Sequence, residues 1–292
     1  MNKHAYIILA HNEPKLLHIL IGLLDDSRNE LFVHIDRKAD ISMFEDLRAD
    51  KAVLHMLPRM NVAWGGVSLM RLELAALGIA RSIGGFSRYH IISGVDLPIK
   101  TQDYIHDFFD SKYPNCEFVG FSQVDLNQPE WRAQWEYPYC FADYAHDNCL
   151  YRRKIYSFLR KVIWKWCKII GHRQTFMGEL KKGSEWVSIT QSFVDWLLAR
   201  RESIEREFKH VFCSDEKFMQ TAIWNSPFRD KLFDIKDEMR GSVREIDWIR
   251  GFPYIWSRYS DLKILQHSER IFARKFSWEY SDIVRGVVDM LS

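Results

Sequence analysis

The sequence predicts an α/β protein with a mostly parallel, twisted sheet flanked by helices and an inserted basic helical segment. Three observations carry this. Ala5-Tyr-Ile-Ile-Leu-Ala10 is a continuous apolar run, as expected of a strand buried on both faces, and Glu30-Leu-Phe-Val-His-Ile-Asp36 and Tyr89-His-Ile-Ile-Ser93 read as further strands. Stretches with helical apolar spacing separate them, and strand–helix–strand alternation favours a parallel sheet. Finally, polar residues close the runs: His11, Asp36 and Asp96 all stand at or just past predicted strand ends, where sheets of this kind bind ligands.

The elements follow in order. After the first strand, His11-Asn12-Glu13-Pro14 is a loop with Pro near a helix start. Leu16, Leu17, Ile19, Leu20, Leu23 and Leu24 then recur at helical spacing. Residues 51–57 predict a third strand, Trp64-Gly65-Gly66 a loop, and Ser68 to Ser82 a helix. The run from Tyr89 stops at Gly94-Val95-Asp96-Leu97-Pro98. Later, Gly183-Ser-Glu-Trp-Val-Ser-Ile-Thr190 predicts a turn and a strand. Phe193 to Phe208 predicts one helix, and Ser214 to Trp224 another, N-capped by Ser214. With no internal repeat and no Pro/Gly/Ser linker, residues 1–292 read as one domain.

The insertion is the 148–178 segment. From Asn148 to Gly178 there is no acidic residue, while Arg152, Arg153, Lys154, Arg160, Lys161, Lys165, Lys168 and Arg173 interleave with aromatic and aliphatic residues. That pattern is a basic amphipathic helix, or two short ones. It suits a helix packed on the core, a peripheral contact with an anionic membrane, or, least well, nucleic acid. The overall balance of 41 basic against 39 acidic residues gives a charge of only +2, and no nucleic-acid module is recognisable.

Composition excludes further classes. Hydrophobic residues make up 47% of the 292-residue chain, enough for a sizeable core and too many for a disordered protein. The five cysteines form no C-x-x-C pair, so a disulfide framework or a zinc site is not expected, and a reduced, cytoplasmic setting fits. No stretch approaches the ~20 apolar residues of a membrane span, so any membrane contact is peripheral, at the inner face. No Asp-x-Asp, Walker loop, G-x-G-x-x-G, G-x-S-x-G or H-E-x-x-H occurs, which leaves metal and hydride chemistry without a motif.

Three clusters carry candidate chemistry. Ser214-Asp215-Glu216 places two carboxylates at a helix start. This is either capping decoration or a general base, Glu216, facing a cleft. Arg274-Lys275 stand between Phe272 and Phe276, either as a solvated edge or as a clamp for a leaving diphosphate. Asp36 either closes a turn or accepts a hydrogen bond from a nucleoside.

Several segments in order resemble one family: Ala5-Tyr-Ile-Ile-Leu-Ala-His11, Val33-His-Ile-Asp-Arg-Lys38, Trp64-Gly-Gly-Val-Ser-Leu69, Tyr89-His-Ile-Ile-Ser-Gly-Val-Asp-Leu-Pro-Ile-Lys100, Gly183-Ser-Glu-Trp186, Ser214-Asp-Glu216, Ile246-Asp-Trp248 with Pro253, and Phe272-Ala-Arg-Lys-Phe276. Together they resemble the core-2/I-branching β-1,6-N-acetylglucosaminyltransferases and the peptide O-xylosyltransferases, here as a bacterial-type member. Residues from about 122 to 180 have no counterpart in that pattern.

The resemblance implies a GT-A-like fold and an inverting, metal-independent transfer of GlcNAc or xylose from a UDP-sugar to a glycan hydroxyl. It implies Glu216 as the base. On the donor side it implies His11, Asp36 (to the uracil), Arg274 and Lys275, with Arg250 as diphosphate arginine and Arg258 in reserve. On the acceptor side it implies Asp215, Trp186 and Trp248. No cofactor beyond the donor is expected. The acceptor, if lipid-linked, would be met at a membrane, which would give the 148–178 segment a purpose. The alternative class is a non-catalytic carbohydrate- or membrane-binding protein, for which neither Glu216 nor Lys275 would be needed.

Overall fold

A computed structural model describes residues 2–132, 134–145, 149–176 and 178–291. Asn148, the expected start of the basic segment, lies outside them. Strands β1 (His4–Ala10), β2 (Asn29–Ile35), β3 (Val53–Met56) and β4 (Arg88–Ser93) are parallel. With β6 (Ser188–Thr190), antiparallel to β4, they form a sheet of order β3-β2-β1-β4-β6. A second sheet, β5-β8-β7, joins β5 (Leu97–Pro98), β8 (Phe272–Arg274) and β7 (Arg244–Ile246). The predicted mostly parallel sheet is therefore present, with antiparallel pairing confined to β6 and β5.

Every residue of β1, β2 and β4 is buried, because both faces of the sheet are covered. Side chains alternate along a strand, and β1 sorts accordingly. Tyr6, Ile8 and Ala10 face one core, with Leu16, Leu17, Leu20 and Ile21 of α1 (Pro14–Leu23). Ala5, Ile7 and Leu9 face the other, with Met70, Leu74 and Leu77 of α2 (Val67–Ile83). Short helices α3 (Gln102–His106) and α4 (Pro129–Arg132) follow β5, and α5 (Leu150–Ile169) is the basic segment, one continuous helix. C-terminal to β6 come α6 (Gln191–Leu198), α7 (Arg201–Phe208), α8 (Asp215–Trp224), α9 (Glu238–Ser242), α10 (Leu262–His267) and α11 (Ser281–Leu291).

Three expectations change. The helix expected over 193–208 is two, α6 and α7, because Arg200 (φ −112, ψ 9) leaves helical geometry. Thr190 caps the first of them, accepting from Phe193 N at 3.3 Å. Ser214 precedes α8 but does not cap it: its backbone is helical and its hydroxyl donates instead to Gly66 O at 3.4 Å, tying α8 to the start of α2. Of residues 183–190, only the last three pair as strand.

Of two buried arginines, Arg244 joins the two sheets and Arg88 ties β4 to the segment over 109–116. Arg244 donates to Ser188 Oγ, Ser242 O and Val187 O at 2.6–3.0 Å and stacks on Phe272. Arg88 donates to the carbonyls of Cys116 and Tyr113. Burial lowers both guanidinium pKa values towards about 10, yet both stay charged at neutral pH, their terminal nitrogens donating to these oxygens while the Nε of each has no partner.

The chain passes very close to itself at Gly183, where a Cβ would lie 2.0 Å from Gly120 O. Gly183 N also donates to Glu216 O at 2.9 Å. A side chain there must push two backbones apart, and overpacking of this kind costs about 1–3 kcal/mol. Gly183→Val is expected to lower the unfolding free energy by that amount, read as a lower urea midpoint. An unchanged midpoint would show that this close approach is not a constraint.

Candidate active site

Because β1, β2 and β4 run parallel, their carboxyl ends meet at one edge. There the chain opens a cleft of about 420 Å³. His11, Asp36, Trp186, Arg274 and Lys275, all singled out by sequence, line it, as does Glu185. Asp36 N donates to Ala10 O at 2.8 Å, and its carboxylate accepts from Lys38 N at 2.8 Å and Val62 N at 3.3 Å. Asp36 is thus both a turn residue and a cleft residue. Beside it, His34 Nε2 accepts from Met60 N at 3.0 Å, and burial lowers its pKa to about 4. His11 is lowered too, by partial desolvation foremost, so it is largely neutral at pH 7.

The cationic wall comes from the C-terminal tail. Arg274 Nη1 donates to Ser93 Oγ at 2.6 Å and Asp96 Oδ1 at 2.7 Å, and its guanidinium lies 4.6 Å from the ring centre of Trp186. Asp96 offsets much of its charge. Lys275 has no carboxylate within ion-pair reach among the described residues, so it is the cation available to an anionic ligand. The tail is pinned by Phe276 N to Val95 O at 3.0 Å and by Ser277 Oγ to Glu13 Oε1 at 2.6 Å.

Behind Trp186 stands a group of carboxyls. Glu216, on the first turn of α8, pairs with Lys182 Nζ at 2.5 Å and is partly exposed. Asp215 is buried. Desolvation, then the nearby Glu216 charge, raises it to about 6. Glu185 is raised well above the carboxylate range, first by desolvation and then by Asp215. The two carboxyls are close enough to share a proton. Glu73, on α2, is fully buried with neither carboxyl oxygen hydrogen-bonded, and burial raises it strongly as well. Asp215 and Glu216 do not themselves line the cleft; Glu185, which does, lies close to both.

Trp248 and Arg250 lie apart. Arg250 donates to Asp247 at 2.5 Å and Asp261 at 2.8 Å and stacks on Tyr254 at 4.0 Å, while Trp248 is half exposed. Arg258 is exposed. Sequence reasoning missed Glu73, Lys182 and Glu185. Glu73 carried a legible signal: it stands among Met70, Leu74 and Leu77 at the three- and four-residue spacing of a buried helix face. Among the described residues, His4, His106 and Asp110 form another polar group at the opposite end of the sheet, with His4 lowered by burial to about 4.

Comparison with known proteins decides the family. The Core-2/I-Branching enzyme profile matches residues 4–253. The chain belongs to the Core-2/I-branching enzyme family. It is therefore a member of a glycosyltransferase family, whose enzymes generally do without a metal. Xylosyltransferase 2 of Mus musculus is 22% identical over 98% of this chain, and that of Canis lupus familiaris 21% over 98%. Xylosyltransferase oxt of Drosophila melanogaster is 22% identical over 89%. The chain spans about a third of the length of these curated relatives, 30–33%. Mouse xyloside xylosyltransferase 1 shares 12% identity over 94% of this chain and 97% of its own, with a TM-score of 0.39, a distant likeness. Of the residues lining the cleft, Arg274 and Lys275 fall beyond the family match, whereas the relatives aligned over 98% of the chain extend the comparison towards them.

A buried carboxyl held above its ordinary value works against stability at neutral pH. The native state binds the Asp215 proton more tightly than the unfolded chain does. The stability this contributes is present at acid pH and is lost as pH rises through about 6. Asp215→Asn escapes that loss. Removing the favourable charge at the helix N-terminus costs only about 0.3–1 kcal/mol, against a gain on the order of 1–3 kcal/mol. The variant is expected to melt above the wild type at pH 8 and close to it at pH 4. A lower Tm at pH 8 would contradict the assignment.

Proposed function

We propose that this protein is an inverting glycosyltransferase that moves xylose or GlcNAc from a UDP-sugar to a hydroxyl of a glycan acceptor, forming a β-linkage, with residues 1–292 acting as one catalytic unit. The observation that carries this is the meeting, at one cleft, of Asp36 at the end of β2 and the Arg274-Lys275 pair, with the Glu216 carboxylate immediately behind the wall. The names of the relatives lean towards xylose. No described helix is long and apolar enough to cross a membrane.

In this reading Asp36 accepts a hydrogen bond from the uracil, and His11, largely neutral, faces the ribose and phosphates without adding charge. Glu216 takes the proton of the acceptor hydroxyl as its oxygen attacks the anomeric carbon. The bond from that carbon to the diphosphate breaks, and Lys275, with Arg274 held against Asp96, stabilises the charge that gathers on UDP. Asp215, Trp186 and Trp248 are assigned to the acceptor. The raised Asp215 and Glu185 share a proton and can donate to a sugar hydroxyl as well as accept from one. Arg250 would have to leave both Asp247 and Asp261 to reach a phosphate, so the first diphosphate cation in this reading is Lys275.

Glu216→Gln keeps the shape of the side chain and removes the base. Transfer, followed as UDP release, is expected to fall by about 10²–10⁴-fold, with UDP binding retained. A rate close to wild type would overturn the role of Glu216.

The missing Asp-x-Asp and the cationic tail together imply that leaving-group stabilisation is built into the chain. Activity is expected to persist in excess EDTA, and Lys275→Ala to raise the donor KM and slow turnover. If EDTA abolishes activity and Mn²⁺ restores it, the clamp assignment fails.

A further inference from the structure

Helix α5 carries two apolar faces, and only one is used. Tyr156, Arg160, Trp164 and Cys167 recur every three or four residues and face the protein. Tyr156 stacks on Tyr144 at 4.1 Å, Arg160 lies over Tyr139 at 4.3 Å, and Trp164 meets Tyr137 edge-on at 5.6 Å. A second stripe at the same spacing, Tyr151, Phe158, Val162, Trp166 and Ile169, points away from the protein. These residues are 48–78% exposed. Exposed bulky side chains gathered on one helix face are not the norm for a soluble surface.

The charges are placed to match. Lys154, Lys161, Lys165 and Lys168 also recur at three-, four- and seven-residue steps, so they form a row along one flank of the exposed stripe. No acidic residue interrupts the helix. We propose that this face of α5 docks in the plane of an anionic lipid surface, its aromatic and aliphatic stripe sunk into the headgroup boundary and its lysine row against the lipid phosphates.

Charge complementarity selects this occupant. Tyr, Trp and Lys side chains are suited to the interface, with apolar bodies inserted and polar ends kept wet. A second copy of the chain would set one lysine row against another. Seven basic residues within α5 forbid it from spanning a bilayer, whereas lying flat exposes its 20 residues, about 30 Å of helix, to the surface. Ring contacts run from Arg160 to Tyr139, on to Phe212 at 4.7 Å, and to Trp64 at 5.8 Å, a residue of the cleft. A docked α5 therefore brings the cleft close to the lipid surface.

Co-sedimentation tests this without any donor sugar, so its outcome is separate from that of the transferase reading. Vesicles of phosphatidylcholine alone and vesicles containing phosphatidylglycerol are compared across a salt series. The wild type is expected to pellet with the anionic vesicles only, and less as salt rises. Each lysine near an anionic surface contributes roughly fivefold to partition, so Lys154→Glu/Lys161→Glu/Lys165→Glu/Lys168→Glu is expected to lose on the order of 100-fold or more. Phe158→Ser/Trp166→Ser is expected to lose binding while the charge remains, with circular dichroism confirming that both variants fold. Absence of wild-type binding at low salt, equal binding by the charge-reversed variant, or preferential binding of an RNA homopolymer over anionic vesicles would each overturn the proposal.

Discussion

Arg274 is the point at which the two sheets become one site. Its guanidinium is fixed by Ser93 and Asp96 at the end of β4 and covered by Trp186 from the segment that leads into β6. Three chain segments far apart in sequence therefore share one charged hub. Placing a guanidinium beside an aromatic ring and a buried carboxylate is favourable only when every partner is present. That requirement holds the C-terminal tail across the cleft, and Lys275 is presented there as a consequence. Two further anchors of the tail, Val95 O and Glu13, come from the loops that follow β4 and β1, so the ends of the parallel strands both line the cleft and help to hold its cationic wall.

The cluster of carboxyls around Glu185 is built at a cost. Glu73, Glu185 and Asp215 sit closer together, and drier, than three carboxylates tolerate when ionised. Only protonation makes this arrangement tolerable, and at least Glu73 has no structural bond to offer in return. Strain of this kind concentrates at functional sites. The result is a contrast: Glu216 is ion-paired to Lys182 and partly exposed, while burial holds the neighbouring Glu185 above the carboxylate range.

Much of this was legible in the chain. β1 is visible as an unbroken apolar run, and β2 and β4 as runs broken only by His34 and His90, because burial on both faces removes the alternation that would otherwise disguise them; the shorter, more exposed β3 is fainter. His11 and Asp36 were identifiable because a parallel sheet brings its strand ends to one edge. Glu185 was less visible, because its raised pKa arises from burial first and then from Asp215, thirty positions away in sequence. The break between α6 and α7 depends on the backbone of Arg200, which no periodicity reports. Arg250 illustrates the limit most clearly: a lone arginine near the tail is compatible with a phosphate clamp, and only the positions of Asp247 and Asp261 show where its charge is spent.

The central claim is that the cleft at the strand ends holds the nucleotide of the donor. Calorimetric titration with UDP tests it most directly, using the wild type, Asp36→Ala and Arg274→Ala. The account expects one saturable site in the wild type, and markedly weaker binding in both variants, the first through loss of the nucleoside contact and the second through release of the cationic tail. No measurable binding, or equal affinity in all three proteins, would contradict it.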